Sequence, residues 1–72
     1  MLFQIWENEW EGSVTLCQKG CWEAKLHRLQ AIAYKLGLSS LKTQLLAEFD
    51  AKTRLEACQK EYEVMGWGEY LP

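Results

Sequence analysis

Cys17 and Cys21, in the run Cys17-Gln18-Lys19-Gly20-Cys21, form the pair in this chain whose spacing most directly suggests chemistry. Two thiolates about two to four residues apart can reach one tetrahedral zinc ion, and His27 and Cys58 are the side chains available to complete a zinc-stabilised small domain. His27, however, falls about 140° from the apolar stripe of its own helix at 100° per residue, which is poor ligand geometry. No metal or other cofactor is therefore assigned. Cys17 and Cys58 are read as small core residues and Cys21 as a junction residue. His27 has Glu23 one turn before it, a pairing that on a helix surface is usually only a local interaction. Glu7, Glu9 and Glu11 alternate but lack the spacing and glycine of a calcium loop. With no phosphate-cradling glycine loop and no nucleophile elbow, the sequence offers no catalytic residue and is read as non-enzymatic.

Recognition is the other chemistry available. Trp6 and Trp10 lie among Glu7, Glu9 and Glu11, and Trp67 lies among Glu61, Glu63 and Glu69. Aromatic side chains are enriched as anchors where proteins bind one another, and neighbouring carboxylates steer such a surface toward a basic partner. Trp10, between Glu9 and Glu11, is expected to be the exposed anchor, with Trp67 and Tyr70 contributing from the other end. Trp6 is expected on the core face, and Trp67 at a glycine-flanked helix stop. Leu55, Tyr62 and Met65 form a second candidate surface. The expected partner is another protein or protein complex. A homo-oligomer through Leu55, Tyr62 and Met65 is the alternative occupant of that second surface.

The segment from Gln30 to Leu46 resembles a helix-turn-helix motif, with Ala33 as the small residue at a helix crossing and Gly37 at the turn. Ile32, Leu36, Leu38 and Leu46 would form its shared core. The resemblance implies a DNA-binding regulator as the alternative function. It covers about 17 residues and identifies no family. Thr43 stands where the motif buries a branched aliphatic residue, and Lys42, Thr43 and Gln44 give a recognition helix without arginine.

Charge sharpens the choice. The net charge is −2, which disfavours nucleic acid as a general partner. Residues 19–46 carry Lys19, Lys25, Arg28, Lys35 and Lys42 against Glu23 alone, whereas both ends are acidic. A fraction of 49% apolar and 25% charged residues is that of a folding domain. At 72 residues the chain is near the lower limit for a self-sufficient core, which favours life in a complex. No apolar run reaches the ~18 residues of a membrane span, and no secretory leader is recognisable. Three cysteines, an odd number, fit a reducing cytoplasm.

These residues must be positioned by an α+β fold, an N-terminal β-hairpin packed on two helices in one small domain. Leu2 to Trp6 and Ser13 to Cys17 read as the strands of a hairpin within residues 1–18. Trp22, Leu26, Leu29, Ala33 and Leu36 recur at intervals of 4, 3, 4 and 3, within about 80° of one another, and predict a helix over 22–36 with that stripe in the core. Gly37 is placed to end it in a left-handed conformation. A second, long helix is predicted over 40–65, capped by Ser39 or Ser40. Its buried face shifts near Asp50 from Leu41, Leu45 and Phe49 to Ala51, Leu55, Cys58, Tyr62 and Met65. One unbroken helix is the reading adopted, with a break near residue 50 as the alternative. Gly66 and Gly68 then leave an aromatic tail over 66–72.

Overall fold

The computed structural model describes residues 1–10 and 13–71. It is an α+β fold of five elements: β1 (Leu2–Asn8), β2 (Ser13–Gln18), α1 (Trp22–Lys35), β3 (Thr43–Asp50) and α2 (Arg54–Met65). The strands form one antiparallel sheet in the order β2-β1-β3. The expected hairpin is present, with Ile5 opposite Leu16 and Trp6 opposite Thr15.

Central strand β1 explains the layering. Successive strand residues point to opposite faces, and β1 buries Phe3 and Ile5 on one face and Trp6 and Asn8 on the other. A strand apolar on both faces needs cover on both. Strands β2 and β3 each run antiparallel to β1, so they are parallel to one another, and α1 must cross one face of the sheet to join them. There it packs Ala24 against Trp6 and Cys17, with Cys21 and Ala31 at the margin. The other face is left to α2, where Ala57 packs with Phe3, Ile5, Leu16 and Ala51, flanked by Cys58 and Met65.

The predicted helix over 40–65 is not formed: its first part is strand β3, and only Arg54–Met65 is helical. Leucine, alanine, glutamine and glutamate favour a helix in isolation, but a two-stranded hairpin is marginal alone and the open edge of β1 supplies a template. The Leu45–Leu46 doublet that disguises the strand is accommodated by an irregularity. Ile5 pairs with Ala47 and Trp6 with Leu45, so Leu46 is an extra residue on β3. Thr53, not Asp50 or a serine, starts α2, its hydroxyl accepting the Glu56 N–H at 3.2 Å. Ser39 instead accepts the Leu41 N–H at 3.2 Å within the connecting loop. Since residues 43–50 are extended, the second helix of the helix-turn-helix resemblance does not exist. Gly37 (φ 77°) closes α1 in the left-handed region, as anticipated, and Gly66 (φ 71°), expected as the stop of the second helix, closes α2 in the same conformation.

The larger correction concerns the orientation of α1. Its sheet-facing side is Ala24, His27 and Ala31, about 180° around the helix from the Trp22–Leu36 stripe. The stripe faces outward, with Trp22 72%, Leu29 64% and Leu36 68% exposed. Small residues suffice on the inner side because the sheet and its first loop supply the bulk through Trp6 and Trp10.

Candidate interaction surfaces

His27, the one imidazole, is fully enclosed rather than on the solvated side where the sequence placed it. Its Nδ1 lies 2.7 Å from the Glu23 carbonyl and its Nε2 lies 3.2 Å from Asn8 Nδ2. A carbonyl can only accept, so the ring proton belongs on Nδ1, and Nε2 accepts from the Asn8 amide. The ring is flanked by Trp6 and Trp10 at centroid distances of 5.9 and 5.2 Å. Both nitrogens are engaged and the faces are covered, so this histidine joins helix to sheet instead of presenting a base. Its signal in the sequence was its position on the same helix face as Ala24 and Ala31.

Trp10, expected to be the exposed anchor, is half-buried. Its indole N–H donates to the Thr43 hydroxyl at 3.1 Å while its ring covers His27. An indole needs a partner for its N–H when buried, and Thr43 at the start of β3 provides one. Glu9 remains exposed and ties the same corner together: its N–H donates to the Lys42 carbonyl at 3.0 Å and its carboxylate accepts the Lys42 N–H at 3.3 Å. Glu11 lies outside the described residues. The acidic first loop thus holds the hairpin to the start of β3. Trp6 is buried as expected, its N–H donating to Gln4 Oε1 at 3.0 Å.

The cysteines divide between the two faces. Cys17 is buried under α1, and burial with the neighbouring Cys21 thiol pushes its pKa up to about 12. Cys21 is the N-cap of α1, its sulfur accepting the Ala24 N–H at 3.4 Å. Cys58 packs on the opposite face with the α2 core, the sheet lying between it and the other two. Among the described residues no three His, Cys, Asp or Glu side chains gather as a metal site. The zinc alternative thus lacks its third and fourth ligands.

The C-terminal aromatics do assemble. Tyr62 on α2 receives Trp67 and Tyr70 edge-on, each at a centroid distance of 5.2 Å. The Tyr70 N–H donates to Gln59 Oε1 at 3.2 Å. Beside this cluster Leu55 is exposed and lines an open groove of about 380 Å³ with Thr53, Glu56, Gln59 and Tyr70. Met65, by contrast, turns toward the core with Cys58. Leu55, Tyr62, Trp67 and Tyr70 are therefore brought together, while Trp10 and Glu9 belong to another corner of the molecule.

Another exposed apolar surface is one that the sequence placed inside. Along α1 the exposed side chains Trp22, Leu29, Ile32 and Leu36 run into Leu38 and Leu41 of the following loop. Next to Leu29 and Ile32, Lys25 and Arg28 rim an open groove of about 460 Å³. Monomeric proteins seldom leave a helix with its heaviest apolar stripe in water, since each such side chain forfeits roughly 1.5–3 kcal/mol of available burial. Among the described residues no helix is long and apolar enough to cross a membrane. No protein-family model, curated protein or solved structure matches this chain.

Proposed function

We infer that this chain is a non-enzymatic protein–protein interaction module, an adaptor, assembly factor or inhibitor, that seats the outer face of α1 on a larger protein. The observation supporting this reading is the outward stripe of Trp22, Leu29 and Leu36 on a helix whose inner face is already satisfied by the sheet. Aromatic and leucine side chains at 4-3 spacing form the contact line of a helix laid against another apolar surface. The cluster of Leu55, Tyr62, Trp67 and Tyr70 on the opposite side of the sheet is a second, smaller anchor site. The three free thiols fit a protein that works in the reducing cytoplasm.

The test is a complex of defined stoichiometry, isolated from the native host by a tag on the full chain and sized by light scattering. Leu29→Glu and Leu36→Glu should dissolve the complex while circular dichroism shows the chain still folded, and Leu55→Glu should weaken it less. A complex indifferent to Leu29→Glu and Leu36→Glu, or a chain isolated only as a free monomer, would overturn the assignment.

A further inference from the structure

The border of the α1 stripe specifies what lies against it. On a helix at 100° per residue, Lys25 and Ile32 follow one edge of the Trp22-Leu26-Leu29-Ala33-Leu36 line with Arg28 next round the cylinder, Glu23 and Gln30 follow the other edge, and Lys35 lies further round, about 140° from the line. The positive edge is exposed. Among the described residues the ion pairs are those of Met1 with Asp50, Lys19 with Glu48 and Lys60 with Glu56. Lys25, Arg28 and Lys35 enter none. Lys25 and Arg28 also line two hollows beside α1. One is the groove of about 460 Å³ with Leu29 and Ile32, and the other is a hollow of about 160 Å³ with Gln4, Lys19, Gly20 and Ala24. The larger one is a leucine–isoleucine floor bounded by cations.

A second copy fits this surface poorly. Its α1 would bring one carboxylate, Glu23, against Lys25 and Arg28 of the other chain. A nucleic acid would satisfy the cations but leave the leucine line without an apolar counterpart. An acidic amphipathic helix satisfies both. Resting on the docking function inferred above, we propose that α1 receives such a helix from a partner protein. Its apolar residues run along the Trp22–Leu36 line, and its carboxylates stand against Lys25 and Arg28.

The test uses two labelled synthetic helices. Both carry leucine at 4-3 spacing; one has glutamate and the other lysine at the flanking positions. Each is titrated by fluorescence anisotropy against the full chain at about 50 mM and about 300 mM salt, where the screening length falls from roughly 14 Å to roughly 6 Å. The glutamate helix should bind at least tenfold tighter than the lysine helix at low salt, with the gap narrowing at high salt. The double substitution Lys25→Glu with Arg28→Glu should invert the preference, and Leu29→Glu should weaken both helices. Both sets of residues are exposed, and circular dichroism verifies that the variants fold. Equal binding of the two helices, binding of neither, displacement by duplex DNA, or dimerisation of the chain that occludes the helices would each overturn the proposal. A native complex still lost on Leu29→Glu, alongside a lysine-helix preference, would refute the acidic partner alone; one indifferent to Leu29→Glu would refute the docking function as well.

Discussion

Replacing Leu29 by glutamate should leave the domain standing, whereas replacing Ala24 by leucine should not. The two residues lie on opposite sides of α1. Leu29 is 64% exposed, so about a third of its surface is shielded, and of the roughly 1.5–3 kcal/mol that full leucine burial contributes only about 0.5–1 kcal/mol is at stake. Ala24 is 4% exposed against Trp6 and Cys17, and added methylenes in such a site cost about 1–3 kcal/mol. In a domain of this size each kcal/mol moves the melting midpoint by about 4–8 °C, so Ala24→Leu should fall clearly below Leu29→Glu. Thermal and urea denaturation followed by far-ultraviolet circular dichroism, at two protein concentrations to separate folding from association, measures both. Were the Trp22 stripe the buried side, the order would reverse, with Leu29→Glu unfolding the chain and Ala24→Leu passing almost unnoticed. That outcome would refute the packing of α1 and the function inferred from it.

Native alkylation should modify Cys58 and Cys21 while sparing Cys17, whose thiol stays protonated with a pKa near 12; mass spectrometry showing Cys17 labelled as fast as Cys58 would contradict its burial. The Gln4 amide and Lys19 hold the Glu48 carboxyl below its usual range. The unfolded chain therefore binds the extra proton, and Glu48 contributes stability that is full above the ordinary carboxylate pKa and lost as pH falls through the folded value. Glu48→Gln should flatten the acid limb of the stability profile, and an unchanged limb would rule this out. Burial raises the Glu61 carboxyl, giving the opposite sign: stability is lost as pH rises through its window, so Glu61→Gln should stabilise the protein at neutral pH, and a destabilised variant would count against it. Thr53→Ala removes the cap of α2 and should cost about 1 kcal/mol, largely restored by Thr53→Ser; equal midpoints for the alanine and serine variants would show that the cap contributes nothing.

The hairpin, the limits of α1, the left-handed Gly37 and the helix stop at Gly66 were legible because each depends on nearby residues. Strand β3 was not, since its helix-forming residues are held extended by pairing with β1, which begins more than forty residues earlier. The doubled leucine at 45 and 46, absorbed by an irregular register, removed the alternation that could have revealed it. The direction of α1 was misread for a related reason. Periodicity locates a helix's apolar side but not what faces it, and here the bulky side chains filling the gap come from Trp6 and Trp10. The same displacement turned Trp10 from an expected anchor into cover for His27. Tyr62, Trp67 and Tyr70 were anticipated as surface aromatics, but the edge-on contacts of Trp67 and Tyr70 with Tyr62 depend on the fold of the tail over α2.

Strand β1 also sets a timetable. It meets β2 after a short connection, but Asn8 pairs with Thr43 and Leu2 with Asp50, contacts that close loops of roughly 35 to 48 residues. During synthesis at about 5–20 residues per second, some 2–6 s separate completion of the hairpin from the arrival of Asp50. Throughout that interval Phe3, Ile5 and Trp6 stand on a half-paired strand, with neither helix complete over them when it begins. The nascent chain therefore exposes a sticky edge early, and conditions that slow translation between residues 18 and 50 should lower the yield of folded protein more than slowing it afterwards.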